Sequence, residues 1–243
     1  MTQTSVNNEF LNDLSVTTAT AARDIYLNIQ NTDNTNAASH AVVNLTTGGA
    51  SGGNPQINIS NSVEEFSIGM DNADSDAFKI AASAALETTT AKKIASGLIT
   101  RPLQPAFNAH LSGVVTDVTG NGAIYTVIYN TELFDIGSNY ATGTGIFTAP
   151  VDGNYLFTGS ARLQDCSALV FARIYLTTSD WTYSQSIGRT GTSQNAQVSV
   201  YAIAPMDAGD TAYCRVEGTG EASNRCDLNA NAWSTYFCGV LVN

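Results

Sequence analysis

The chain has 243 residues, room for one large domain or two modest ones, and its 43% apolar content is enough for a packed core. Charged residues make up only 13% and the net charge is −11, which excludes a charge-driven disordered chain and argues against binding to nucleic acid or anionic membranes, whose phosphates an acidic surface repels. No stretch approaches the roughly 20 apolar residues of a spanning helix, so no membrane insertion is expected.

The opening Met1-Thr-Gln-Thr-Ser-Val-Asn-Asn8 has neither a basic nor an apolar segment, so no secretory signal is expected. Phe10, Leu11 and Leu14 suggest a short helix. Beyond them, apolar residues alternate with polar ones at Ile25, Leu27 and Ile29, at Ile57 and Ile59, and at Phe66, Ile68 and Met70, the period of half-buried strands. Turn-rich runs separate these, among them Asn31–Asn36, Gly48–Pro55 and Asp71–Asp76. Leu86 to Leu98 reads as helical. Strands this small bury little surface alone, and stacking against copies of themselves is the simplest remedy.

Residues 1–100 hold four aromatic residues and residues 101–243 hold 17, so a thin core is followed by a thick one. The seam is placed at Arg101-Pro-Leu-Gln-Pro105, where two prolines stiffen the chain. The expected organisation is an attachment or shaft module of short strands over residues 1–100, a linker over 101–105 and a head over 106–243. In the head, runs such as Ile124–Tyr129, Leu169–Leu176, Val198–Ile203 and Thr235–Val242 alternate with glycine turns, the pattern of an all-β sandwich or jelly roll.

Chemistry is sparse. Gly49-Ala-Ser-Gly-Gly53 matches a nucleophile elbow as a string, but a strand-like run follows where a helix is needed. His40 and His110 have no Cys or His at metal-ligand spacing. Asp71, Asp74 and Asp76 fail the calcium-loop pattern at Ala73 and Ala82 and read as a solvated turn. Cys166, Cys214, Cys226 and Cys238 lack C-x-x-C spacing and allow three connectivities; in a reducing cytoplasm all four can stay thiols, and Cys214 and Cys226 flank a glycine-rich turn across which they could pair in an oxidising medium. No catalytic, cofactor or metal residue is nominated, and a non-enzymatic protein is expected.

Gly145-Ile-Phe-Thr-Ala-Pro-Val-Asp-Gly-Asn-Tyr-Leu-Phe157 resembles the G-x-F-x-x-P-x-x-G-x-Y-x-F signature of the complement subcomponent C-one-q globular head, the jelly roll shared with tumour necrosis factor. Asn139-Tyr140 upstream, Ala208-Gly-Asp210 and the closing Phe237-Cys-Gly-Val-Leu241 resemble further family elements, in the right order. The resemblance implies a homotrimer. It places Gly145, Phe147, Pro150, Gly153, Tyr155, Phe157, Phe237, Gly239 and Leu241 in the core signature, with Gly239 admitting a close neighbour. Alternation along the last strand then turns Tyr236, Cys238 and Val240 outward, and the family's packing implies that they meet the other subunits.

The segment from about residue 20 to 85, with Asn31-Thr-Asp-Asn-Thr35, Ser39-His40 and Phe66–Ile80, is similar to modules of bacteriophage tail-fibre proteins. The two resemblances together imply a trimeric short fibre or spike on a phage particle, assembled in the host cytoplasm. Its first part would bind other virion proteins, and its head would touch a host-surface glycan or protein. A capsid-decorating protein without a receptor, or a cellular lectin-like module, are the alternatives.

Overall fold

Alternating residues need a neighbouring strand to satisfy their backbone groups, and turns rich in Gly, Asn and Asp let the chain return to supply it. The computed structural model describes residues 29–32, 40–48, 52–188 and 194–242. It comprises two units, residues 1–55 and 56–243. In the first, Asn31 Nδ2 donates to His40 O at 3.3 Å. The helix expected at Phe10–Leu14 and the strand residues Ile25 and Leu27 lie outside the described residues; Ile29 is in no strand.

The second unit opens with β1 Gln56–Ser60, β2 Glu65–Asp71, β3 Ala77–Ala81, β4 Thr90–Ala95 and β5 Leu98–Thr100, an antiparallel sheet in chain order. The helix expected over Leu86–Leu98 is therefore a loop and a β4–β5 hairpin. Ser96 and Gly97, at φ 50 and φ 77, form a two-residue turn whose twist matches the flanking strands.

The sheet inverts the usual sidedness. Pairing aligns Ile57, Ile68 and Ile80 in one row and Met70, Phe78, Ile94 and Ile99 in another, and this apolar face is largely exposed. The buried residues lie on the polar side: Ser67, Asp71, Lys79 and Thr90 beside Ala77 and Ala81. The β3–β4 loop is tied to that side, since Gln56 Nε2 donates to Ala84 O at 2.9 Å and Leu86 is fully buried.

Lys79 is the centre of the polar side. Its Nζ lies 2.5 Å from Asp71 Oδ2 and 2.8 Å from Asp74 Oδ2, and Lys93 Nζ lies 2.6 Å from Asp74 Oδ2. Asp71 and Asp74, which the sequence leaves in a solvated turn, are thus neutralised by lysines. Asp71 also accepts from Ala73 N at 3.0 Å. Burial pulls the Lys79 ammonium down, but its hydrogen bonds to Asp71 and Asp74 outweigh this and hold it above the usual 10.5. Hydrogen bonds from Lys79 and then Lys93 hold Asp74 below the usual 3.8. The Asp74 contribution is therefore present above 3.8 and lost as pH falls through its lowered value. The Lys79 contribution is complete below 10.5 and lost as pH rises through its raised value. Lys79→Ala leaves the Asp71 carboxylate buried without its cation, and a loss of about 3–5 kcal/mol is expected in thermal or urea unfolding at neutral pH.

After Arg101–Pro105 the head begins with β6 Ala106–His110, β7 Val115–Thr119, β8 Ile124–Thr126, β9 Thr131–Ile136, β10 Tyr140–Ala141 and β11 Ile146–Thr148. It continues with β12 Gly153–Gln164, β13 Phe171–Thr178, β14 Thr182–Gly188, β15 Ala196–Met206, β16 Thr211–Thr219, β17 Cys226–Leu228 and β18 Tyr236–Leu241. Two antiparallel sheets result. One runs β9-β6-β18-β12-β15, with β17 and β7 beside the far half of β12; the other runs β10-β11-β16-β13-β14, with β8 beside β16. This is an all-β jelly-roll sandwich, as the sequence implies.

Between the sheets, Phe107, Tyr140, Phe147, Tyr155, Phe157 and Phe237 form one aromatic cluster. Ring centroids are 4.8 Å apart for Phe107–Tyr140, 4.9 Å for Phe107–Phe237 and 5.5 Å for Phe147–Tyr155. Each such side chain contributes about 1.5–3 kcal/mol through burial. Tyr140 Oη donates to Tyr129 O at 2.9 Å and Tyr129 Oη to Ser160 O at 3.0 Å, so the buried hydroxyls are satisfied.

Candidate functional site

The sheet β9-β6-β18-β12-β15 has a second, outward face. On β18, Thr235 just before the strand, Phe237 and Gly239 point inward and are buried, with Leu241 half-buried; Tyr236, Cys238 and Val240 take the other side and are half-buried in the single chain. Strand pairing carries that side across the sheet. One row reads Ile203, Leu156, Val240, Ala106, Ile136. The next reads Tyr201, Thr158, Cys238, Asn108, Phe134. A third reads Ser199, Ser160, Tyr236, His110, Thr131, with Ser160 Oγ 2.9 Å from Ser199 Oγ.

None of these positions carries Asp, Glu, Lys or Arg, in a chain with 21 acidic residues. Tyr201 is 78% exposed and Ile203 59% exposed, at the sheet edge formed by β15. A shallow groove of 320 Å³ runs between Asn108, Phe134, Leu156, Thr158, Cys238 and Val240. The first two rows are mainly aliphatic and aromatic and the third is polar, and the whole face is uncharged.

The inward side explains the glycine of the closing strand. A Cβ on Gly239 would lie 2.6 Å from the Phe157 ring and 2.7 Å from the Phe107 ring. The close neighbours that Gly239 admits are therefore these two rings within the sandwich. Gly145 sits at φ 74 with its missing Cβ 2.7 Å from Val127 O, so both conformation and space require glycine there. Pro150 is exposed in the turn that leads to Gly153 at the start of β12, and Phe147, Tyr155 and Phe157 are buried.

All four cysteines are free thiols. Cys214 lies beneath Gly159, whose Cβ would meet its Sγ at 2.5 Å, and burial pushes its thiol well up. Cys226 is hydrogen-bonded by Cys166, which holds its thiol down. The neighbour of Cys226 is thus Cys166, and the pairing of Cys214 with Cys226 suggested by their flanking turn is not present. Among the described residues no group of three His, Cys, Asp or Glu is placed to hold a metal. His40 is exposed, and His110 Nδ1 lies 2.9 Å from Leu111 O.

The C1q-domain family model matches residues 106–242, more than half of the chain. The chain belongs to the C1q-domain family. C1q domains are binding modules that form homotrimers. Among solved structures, the C1q globular domain of zebrafish complement 1qA is 21% identical, covers 58% of this chain and 98% of that one, and gives a TM-score of 0.39. Murine APRIL is 11% identical over 57% and 99%, with a TM-score of 0.42. The Eiger TNF of S. frugiperda is 14% identical over 59% and 94%, with a TM-score of 0.40. No curated protein matches the chain.

The sequence reading of this outward face was limited to β18. It missed Tyr201, Ile203, Leu156 and Phe134, although a signal was present. Val198-Ser-Val-Tyr-Ala-Ile203 and Tyr155-Leu-Phe157 carry large apolar groups on both alternations, which is how a strand covered on both faces reads.

Proposed function

We propose that this chain is a non-enzymatic homotrimeric binding protein whose heads associate through the outward face of β9-β6-β18-β12-β15. The observation that carries the reading is the uncharged face centred on Tyr236, Cys238 and Val240 and extended by Leu156, Tyr201 and Ile203. Ala106, Val240 and Leu156 lie where Pro105 enters the head, whereas His110, Tyr236 and Ser160 lie toward the opposite end. Loops at that far end, including the one bearing the 87% exposed Trp233, are the surface offered to a partner. Three heads multiply weak single contacts into avidity.

The finer reading is a short fibre or spike of a bacteriophage particle, with residues 1–100 attaching to other virion proteins and the head contacting a host-surface glycan or protein. The resemblance of residues 20–85 to tail-fibre modules supports it. Native mass at micromolar concentration tests the trimer: about three times 25.5 kDa is expected, and a monomer sinks the reading. Imaging phage particles with this chain labelled tests the placement, and absence of label from purified particles rejects it.

A further inference from the structure

We infer that the sheet β1–β5 is a second self-association element, whose bare apolar face packs against the same face of two further copies of this chain. The inference rests on the trimeric reading of the head. Ile57, Ile59, Phe66, Met70, Phe78 and Ile99 are each between 38% and 62% exposed, and strand pairing makes them one continuous face with Ile68, Ile80 and Ile94. Together they expose on the order of several hundred Å² per chain, the scale of the roughly 800 Å² per partner in a standard interface and more than a monomer ordinarily leaves bare.

The other side of the sheet is already occupied. Polar residues there are buried by the β3–β4 loop and by the Lys79–Asp71–Asp74 cluster. Among the described residues, folding thus covers the polar side of the sheet and leaves its apolar side bare. In the aligned rows the one charged position is Lys92, at the β4 end, so like-charge repulsion between copies is confined to that end of the face.

Continuity with the head selects the occupant. β5 ends at Thr100 and β6 begins at Ala106. The five residues between span at most about 17 Å. Their end is fixed to the head, since Gln104 Nε2 donates to Leu241 O, and Leu241 N donates to Pro105 O at 3.0 Å. Three associated heads therefore hold three copies of the sheet at high effective concentration.

Met70, 43% exposed in the single chain, is a built-in reporter, and Met206, 3% exposed in the head core, is its control. The full-length chain is treated with dilute hydrogen peroxide, and sulfoxide at each methionine is followed by mass spectrometry alongside native mass. The expected result is a trimer in which Met70 oxidises at least tenfold more slowly than in Ile59→Glu, a change on the exposed β1 edge that leaves Met206 protected. A trimer whose Met70 oxidises as fast as in Ile59→Glu overturns this inference and leaves the head reading standing. Protected Met70 in a monomer places residues 1–55 of the same chain on the face and also overturns it. Exposed Met70 in a monomer overturns both.

Discussion

Phe237→Asp is expected to abolish folding of the head, whereas Tyr236→Asp, one residue earlier, is expected to leave the head folded and separate the subunits. The Phe237 ring is fully buried and lies 4.9 Å from Phe107, 5.8 Å from Phe157 and 6.1 Å from Tyr140. Removing such a ring costs about 3–5 kcal/mol and stranding an unpaired carboxylate in its place costs several more, a sum comparable to the ~5–15 kcal/mol that holds a domain together. Loss of the near-ultraviolet circular dichroism and of a cooperative melt is the expected readout. Tyr236 faces away from this cluster, so the same carboxylate meets water in a monomer and two like charges in a trimer. The comparison is made in an Ile59→Glu background, so that residues 56–100 do not hold the chains together. A cooperative melt with monomeric mass is expected for Tyr236→Asp, and a normal trimer rejects the assignment of that face.

Gly239→Ala is the second large effect. The added methyl overlaps both Phe157 and Phe107, and both rings are held by the rest of the aromatic cluster. Neither ring can turn aside without disturbing Phe147 or Phe237. A loss of about 1–3 kcal/mol is expected, lowering the melting temperature of the head by several degrees. An unchanged melt would show that the cluster has slack, contrary to its packing.

The head was legible because its information is local and redundant. Gly145, Phe147, Tyr155, Phe157 and Phe237 each satisfy a demand that one alternation and one turn impose, and the buried side chains fall where those demands place them. β1 and β2 were legible as strands but not as part of a face. Alternation says that Phe66, Ile68 and Met70 share a side, yet not whether that side is the covered one. The usual inference from polarity fails because Lys79 and Asp71 neutralise each other and can therefore be buried together. The β4–β5 hairpin was hidden for another reason. Ala91-Lys-Lys-Ile-Ala95 contains good helix formers, and the turn at Ser96-Gly97 together with pairing to β3 overrides that preference. The outward face of the head, in turn, depends on rows that cross five strands from distant parts of the chain, and no single segment displays them.

The fastening of Leu241 to the linker has a practical consequence for anyone attaching cargo to this molecule. Pro105 O and Gln104 hold Leu241, and Val242 N donates to Asn154 O at 2.8 Å, so the head's first and last strand ends meet at one pole. A fluorophore attached at Val242 leaves from the pole where β6 begins, while the loop bearing Trp233 stays unobstructed. Labels there report position without shielding the outer tip, whereas sequences meant for display belong in the opposite loops, such as the one joining β16 to β17.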